Sequence, residues 1–326
     1  MSDDFNHWPH SRRSFLGQLA VGATAAGLLP SVEASRQSKP AVDAGKIKIC
    51  IFSKHLQWLP YEGMAETAAE LGFEGVDLTV RSNGHVLPER VETDLPKAAE
   101  AARKAGIEIS MITTAVNDPE DPRTSAILET AAASSIGYYR LGYFKYQPGT
   151  DIPAQLARIR PRVVGLAEVN RRYRIYGGYQ NHAGRDYVGA PLWDWWELIK
   201  DLDPEWIGCQ FDIRHATVES ANAWPINFRL LAPYTRILAI KDFKWEKEGG
   251  TWKVTNCPLG EGQVDFKSFF RLLKDSGFSG PISVHYEYSL GGAEHGARSL
   301  DLPRTEVLAA FKRDLDVLKG WVEVDH

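Results

Sequence analysis

The feature that most restricts this chain is an alternation of short β-like runs with longer helical ones, repeated about eight times between residues 46 and 322. "KIKICIFS" leads into "YEGMAETAAELG", "GVDLTV" into "DLPKAAEAARKAG", "IEISMITT" into "SAILETAAASSIG", and "YYRLGY" into a helical stretch ending near Arg172. "RIYGGYQ" then leads into "PLWDWWELIKDL", "WIGCQFDI" into "INFRLLAPY", "RILAIKDF" into "DFKSFFRLLKDSG", and "PISVHYEY" into "RTEVLAAFKRDLDVLKGWV". Strands that alternate with helices build a parallel sheet, and eight such units close it into an α/β fold of the (β/α)8 TIM-barrel type. Several helical runs stop at a glycine before the next strand, at Gly72, Gly106, Gly137 and Gly277, where a left-handed residue ends a helix at little cost. The competing architecture is a doubly wound open sheet, but no GxGxxG follows the first strand to support it.

The first residues lie outside this pattern. "SRRSFLG" places Arg12 and Arg13 ahead of "LGQLAVGATAAGLLP", which is shorter than the roughly 20 apolar residues a membrane-spanning helix needs. Residues 1–34 are expected to be a twin-arginine signal peptide ending in Val32, Glu33 and Ala34, and residues 35–45 a linker. The barrel then covers 46–322, with a tail at 323–326. The expected location is the periplasm, without membrane contact once the signal is removed. A hydrophobic content of 44% over a chain of this length is enough for a barrel-sized core. A net charge of −4 with no basic run argues against nucleic acid and anionic membranes as partners. Of three cysteines, Cys50 and Cys209 lie in apolar runs and read as small buried hydrophobes, and Cys257 falls in a loop. There is no CxxC pair and no disulfide framework.

Barrels of this kind place their chemistry at the carboxyl ends of the strands. Apart from His7, His10 and His326, every histidine follows a predicted strand rather than falling on a predicted helix: His55, His85, His182, His215, His285 and His295. Lys54, Asp77, Arg81 and Arg140 lie at or just past strands one, two and four, and Gln180, Asn181 and His182 cluster after strand five. "FDIRHA" ends strand six with Asp212 and places His215 three residues on. Period-two alternation sets Ser283, His285 and Glu287 on one face of strand eight, and Ala239 with Lys241 on one face of strand seven, turning Ile240 and Asp242 away. Glu294 and His295 occupy the loop after strand eight. Trp58, Trp245 and the tryptophans of "WDWW" (Trp193, Trp195, Trp196) offer apolar platforms for a ligand, although helical spacing in that motif also suits barrel packing.

"EGVDLTV", "YQNH", "FDIRH", "IKDF", "PLGEGQVDF" and "PISVHYEY", in this order, resemble the sugar phosphate isomerase/epimerase family of xylose isomerase-like barrels, which also includes endonuclease IV. The resemblance runs from about Lys46 to Val322. It implies a divalent metal, often Mn²⁺, held by a glutamate after strand five, an aspartate after six, a histidine on seven and a glutamate on eight, with carboxylates moving the proton around an enediolate. Carried over by residue, only Asp212 matches outright, with His215 at the substrate-contacting position. Gln180 stands for the first glutamate, Ala239 for the histidine, and His285 or Glu287 for the last glutamate. The ligand set this leaves is Asp212, Gln180 and His285, a weak one for Mn²⁺ or Zn²⁺, with Lys241 placed to supply positive charge instead.

The expected function is an exported isomerase, epimerase or lyase acting on a small carbohydrate, native or oxidised to a 3-keto sugar. His215, His285, Glu287 and Lys241 are the catalytic candidates. Lys54, His55, Arg81, His85, Arg140, Asn181, His182, Trp245, Glu294 and His295 are the substrate-binding candidates. A periplasmic sugar-binding protein on the same fold is the alternative; DNA repair by analogy with endonuclease IV is disfavoured by export and acidity. Replacing Arg12 and Arg13 together with lysine is expected to strand the protein, folded, in the cytoplasm; cell fractionation that finds the double variant in the periplasm would refute the targeting assignment.

Overall fold

The computed structural model describes residues 47–324, so the twin-arginine segment, its cleavage site, the 35–45 linker and the last two residues of the tail lie outside the described residues. Eight parallel strands form one closed ring. In chain order they are β1 (Lys48–Phe52), β2 (Gly75–Val80), β3 (Glu108–Thr114), β4 (Tyr138–Arg140), β5 (Tyr176–Gln180), β6 (Ile207–Asp212), β7 (Thr235–Ile240) and, after an inserted hairpin of β8 (Asp242–Glu248) and β9 (Thr251–Cys257), β10 (Pro281–Val284). Around the ring they run β1-β10-β7-β6-β5-β4-β3-β2, the (β/α)8 order expected from the alternation.

Nine α-helices are present among the described residues: α1 (Tyr61–Leu71), α2 (Val91–Lys104), α3 (Pro122–Ala133), α4 (Ile152–Tyr173), α5 (Trp193–Ile199), α6 (Ile213–Ser220), α7 (Trp224–Leu231), α8 (Phe266–Asp275) and α9 (Arg304–Val324). Aspartates start several of them. Asp121, Asp151 and Asp265 accept from the backbone N–H of Arg123, Ala154 and Ser268 at 2.9, 3.0 and 3.0 Å, which satisfies donors the helix cannot pair internally. Gly72, Gly106 and Gly277 take the left-handed conformation expected of helix stops, but Gly137 does not: α3 ends at Ala133 and the positive φ falls on Ser135. No described helix is long and apolar enough to cross a membrane.

Inside the ring, Cys50, Met111, Tyr176 and Ile237 pack together. They come from β1, β3, β5 and β7, so they form one interior layer drawn from alternate strands. Two residues further along β3 the interior turns polar. Buried Asp77 accepts from Thr113 Oγ1 at 2.8 Å and Ser283 Oγ at 2.7 Å. Of the "WDWW" tryptophans, Trp195 is core, stacked on Tyr179 with ring centroids 4.1 Å apart. Trp193 is exposed and donates to Asn227 Oδ1, and Trp196 packs half-buried against the core. These belong to the barrel's outer packing.

The hairpin was not anticipated. Its first residue, Asp242, turns away from the mouth and accepts backbone N–H groups from Phe243 (2.8 Å), Gly260 (3.1 Å), Gly262 (2.9 Å) and Val264 (3.2 Å). One buried carboxylate thus ties the base of the hairpin to the "PLGEGQV" loop.

Tyr176 crosses under β6, its hydroxyl 2.6 Å from the Tyr234 carbonyl and 3.1 Å from that of Cys209. Gly208 lies beneath it, and a Cβ there would come 2.0 Å from the Tyr234 carbonyl oxygen and 2.6 Å from the tyrosine hydroxyl. Backbone cannot yield as a flexible side chain does, so Gly208→Ala is expected to destabilise the barrel by about 2–3 kcal/mol, the upper part of the overpacking range. A urea unfolding midpoint equal to wild type would contradict this packing.

Candidate active site

A line of interacting side chains runs around part of the carboxyl end of the ring, in the order Glu287, Lys241, Asp212, His215, His182. Asp212 is its anchor. As the last residue of β6 and the N-cap of α6, it accepts the His215 backbone N–H at 3.0 Å through Oδ1. Asn181 clamps the Asp212 backbone from β5, accepting its N–H at 2.8 Å and donating to its carbonyl at 3.0 Å. Gln180 donates through Nε2 to Asp212 Oδ2 at 2.8 Å. Lys241, the residue after β7, brings Nζ to 3.4 Å from Asp212 Oδ2 and 3.1 Å from Glu287 Oε2. Lys54 reaches Glu287 Oε1 at 3.4 Å.

Burial and charge act in opposition across this line. Burial favours a neutral Lys241, but Asp212 and Glu287 outweigh it and hold the ammonium above the usual lysine range. Burial likewise opposes charge on Glu287, yet Lys241, His285 and Lys54 keep it ionised well below the usual carboxylate range. For Asp212 burial wins over Lys241 and the His215 N–H, and its carboxyl is raised. The mouth therefore holds a permanent cation between two carboxylates.

Hydrogen-bond partners assign the histidine tautomers. Arg214 Nη1 lies 3.0 Å from His215 Nδ1, and a guanidinium only donates, so Nδ1 accepts and Nε2 carries the proton. That Nε2 is 3.5 Å from Asp212 Oδ2 and makes no other bond. His182 is the converse: its Nδ1 meets the Ala183 carbonyl at 2.9 Å, which only accepts, so Nε2 presents a lone pair. The two rings lie 4.1 Å apart. Burial, then the charge of Lys241, lowers His182 to about 4 and holds His215 well below its usual range. His285 stacks on Phe52 at 4.4 Å with neither ring nitrogen hydrogen-bonded, its Nδ1 3.9 Å from Glu287 Oε1. Burial brings it to about 3, against the pull of Glu287. Burial thus favours the neutral form of all three imidazoles.

Arg140 and Arg81 approach from β4 and the end of β2. Arg140 Nη1 donates to Gln180 Oε1 at 3.1 Å and to the Tyr143 hydroxyl at 3.2 Å, while Tyr143 itself donates to Gln180 Oε1 at 2.6 Å. Gln180 is thus a bridge, with its oxygen toward the cation and its amino group toward Asp212. The Arg81 guanidinium lies 5.5 Å from the Phe52 ring centroid.

Other candidates are committed elsewhere. His55 donates to the Ala293 carbonyl (3.0 Å) and accepts from Tyr286 N–H (3.0 Å), which leaves it no free nitrogen. Asn181 has its amide oxygen and one of its amide N–H groups on the Asp212 backbone. His85 Nδ1 pairs with Ser53 Oγ at 3.2 Å. Glu294 accepts the N–H groups of Leu290 and Gly292 in its own loop, and the His295 side chain is 83% exposed. Trp245 stands 41% exposed on the hairpin, and Trp58 donates to the His55 carbonyl. The histidines also do not all avoid helices, since His215 lies in the first turn of α6. Sequence reasoning passed over Tyr143 and Arg214. Both stand within three residues of a singled-out residue, Arg140 and His215, and that proximity was the available signal.

The donors present do not fit a divalent metal. Gln180 turns its amino group, not its oxygen, toward Asp212, so the set of Asp212, Gln180 and His285 is not assembled. Ala239, in register with both Asp212 and Ser283, offers no ligand atom. An ammonium already lies between the two carboxylates, and no group of three His, Cys, Asp or Glu side chains among the described residues is arranged to hold an ion.

Comparison with known proteins agrees with the fold. Similar solved structures include D-psicose 3-epimerase from Clostridium cellulolyticum H10 with D-tagatose, at 13% identity over 84% of this chain and 99% of that one, with a TM-score of 0.65. A 3-keto-D-glucoside 4-epimerase from E. coli matches at 14% identity over 84% and 100%, TM-score 0.62. A xylose isomerase-like TIM barrel protein from Mycobacterium smegmatis in complex with magnesium matches at 17% over 82% and 97%, TM-score 0.60. At these identities the likeness establishes the fold alone. No curated protein gave a significant sequence match. Residues 65–302 match the xylose isomerase-like TIM barrel family, and the chain belongs to that family.

Proposed function

We propose that this barrel is an enzyme performing acid/base chemistry at a sugar carbon next to a carbonyl, as an isomerase or epimerase, or as a lyase on a 3-keto sugar, in the periplasm. One observation carries the reading: two hydrogen-bond donors, the Lys241 ammonium and His215 Nε2–H, are flanked by two acceptors, the Glu287 carboxylate and His182 Nε2. The similarity in fold to sugar epimerases supports it. An ammonium has three N–H bonds, and two are directed at Asp212 and Glu287, so one remains for a substrate oxygen.

The carbonyl oxygen of the sugar accepts from Lys241 and His215. A C–H proton passes to Glu287 or to His182, and the electron pair of that bond becomes the enediolate, whose negative oxygen the two donors stabilise. For inversion the opposite acceptor takes a proton from solvent and delivers it to the other face of the carbon, while the first group gives its own up to solvent. Return of the abstracted proton to the neighbouring carbon, with the hydroxyl proton passing to the carbonyl oxygen, isomerises the sugar. Expulsion of a β-substituent, which leaves with a proton, makes the reaction an elimination. Arg214 acts through His215 by fixing its tautomer. A second reading, a sugar-binding protein without chemistry, is favoured by the depression of His182 to about 4 and His285 to about 3, since weak bases abstract protons poorly.

Proton exchange in D₂O across neutral, oxidised and 3-keto sugars separates the two. Wild type is expected to exchange a sugar C–H, and Glu287→Gln and His182→Gln each to slow it at least about 100-fold, or about 2.7 kcal/mol of barrier, with sugar affinity largely kept. Sugar binding without any exchange would identify a binding protein.

The rate should also keep its acid side. His182 protonates only near 4, so its accepting form predominates above that pH. The kcat/KM profile is expected to stay level from pH 7 down to about 5.5; a fall centred near the ordinary histidine value of about 6.5 would place a different base in the mechanism.

For the metal, wild type is expected to hold substoichiometric Mn²⁺ and Zn²⁺ by elemental analysis and to be indifferent to chelator. The triple variant Gln180→Glu, Ala239→His, Lys241→Ala, which restores anionic and imidazole donors and removes the ammonium, is expected to take up about one Mn²⁺ per chain. A wild-type chain fully loaded with metal would overturn the assignment of Lys241 as the resident cation.

A further inference from the structure

We infer that Arg81 and Arg140 form an anion-binding subsite, on the side of the mouth opposite β7, that takes a carboxylate or phosphate carried by the substrate. The inference rests on the carbohydrate reading above for the rest of the ligand, and narrows it to anionic sugars: sugar acids or sugar phosphates.

The mouth's cations are unequally paired. Lys54 and Lys241 share Glu287, and Lys241 also has Asp212. Neither guanidinium has such a partner. Arg81 makes no side-chain hydrogen bond or ion pair among the described residues, and its guanidinium lies over the face of Phe52. Arg140 is 5% exposed and spends Nη1 on the neutral oxygens of Tyr143 and Gln180, while its buried Nε makes no bond. The buried Asp77 carboxylate, which feels both guanidiniums, already accepts two hydroxyls, Thr113 on one oxygen and Ser283 on the other.

Placement adds to this. β2 and β4 flank β3, which lies four strands from β7 in the ring, so the two arginines face the Lys241 cluster across the mouth. A ligand held at one end by them presents its other end to Lys241 and His215. Burial lowers Arg81 to about 10, and the charge of Arg140 is the next contributor; the buried Asp77 carboxylate interacts with both guanidiniums but bonds to neither. Leaving a guanidinium largely desolvated and unpaired is costly, and an oxyanion removes that cost through the planar, multi-donor geometry arginine offers. The chain as a whole carries −4, so this cationic surplus is local.

Titration calorimetry on the full chain tests it with inorganic phosphate and acetate alone, and then with a neutral ketose, the corresponding sugar acid and the corresponding ketose phosphate. At low salt the anionic sugars are expected to bind at least tenfold more tightly than the neutral one. Arg81→Gln, at a partly exposed position, is expected to remove that advantage and weaken phosphate or acetate binding at least tenfold while leaving neutral ketose affinity within about twofold. Arg140→Lys, which keeps charge but loses the planar fork, is expected to lose part of the advantage. Whichever of sugar acid or phosphate loses more in Arg81→Gln names the natural anion. Equal binding of neutral and anionic sugars, or equal loss of both in Arg81→Gln, overturns the subsite and leaves the carbohydrate reading standing. Arg81-dependent binding of phosphate or acetate with no sugar bound overturns the carbohydrate reading and leaves the subsite. Binding of no anion at all overturns the subsite.

Discussion

The carboxylates at the mouth of this barrel are held around one ammonium group. Lys241 lies 3.1 Å from Glu287 and 3.4 Å from Asp212, and both it and Asp212 are almost wholly out of solvent. At an effective dielectric of about 20, each contact is a gross attraction of about 5 kcal/mol, set against the desolvation of the charges. Without that cation, two carboxylates would face each other in a dry site, and one would take up a proton. With it, Glu287 stays an anion, Gln180 can be an amide rather than a second acid, and Ala239 need carry no ligand. Where its resemblance implies a glutamate, a histidine and a metal ion, this chain thus sets an amide at 180, a methyl group at 239 and an ammonium at 241 around Asp212.

The architecture could be read from the sequence because it rests on periodicity, which is local. Strand runs alternated with helical ones, and glycines marked most helix ends. Where the reading failed, a competing local signal had been available. "DFKWEKEGGTWKVTNC" has alternating polar and apolar residues on both sides of Gly249 and Gly250, the pattern of a hairpin; it was missed because the barrel template supplied no place for one. Helix α6 is only eight residues long, too short for a period to emerge, and its start at Asp212 is announced only by the capping aspartate. At Gly137 the backbone instead places the left-handed turn on Ser135, a strained choice for a non-glycine residue that leaves no compositional mark.

The site was readable only to the level of strand ends. That Asp212, His215, Lys241 and Glu287 share a mouth follows from topology, and their clustering was foreseeable. What each atom does was not. Asn181 and His182 are neighbours in sequence, yet one spends its amide on the Asp212 backbone and the other directs a lone pair outward, because the chain turns between them. The same holds for the tautomers, which depend on a guanidinium one residue from His215 and a carbonyl one residue from His182. Residue type sets which bonds are permitted; only the packed structure says which are already taken.

Asp242 gives the neighbouring lysine a mechanical setting. Its carboxylate gathers four backbone N–H groups at the root of the hairpin, and hydrogen bonds to a charged acceptor are among the stronger ones. Bending the hairpin at its root would break several at once. Its tip, where Gly249 and Gly250 adopt φ of 57° and 85°, has no such restraint. The ribbon therefore behaves as a cantilever, stiff where it leaves the barrel and compliant at its free end. Motion or sequence variation at the tip is damped before it reaches residue 241, so the surface of the hairpin can diverge while the charge at its foot keeps its position.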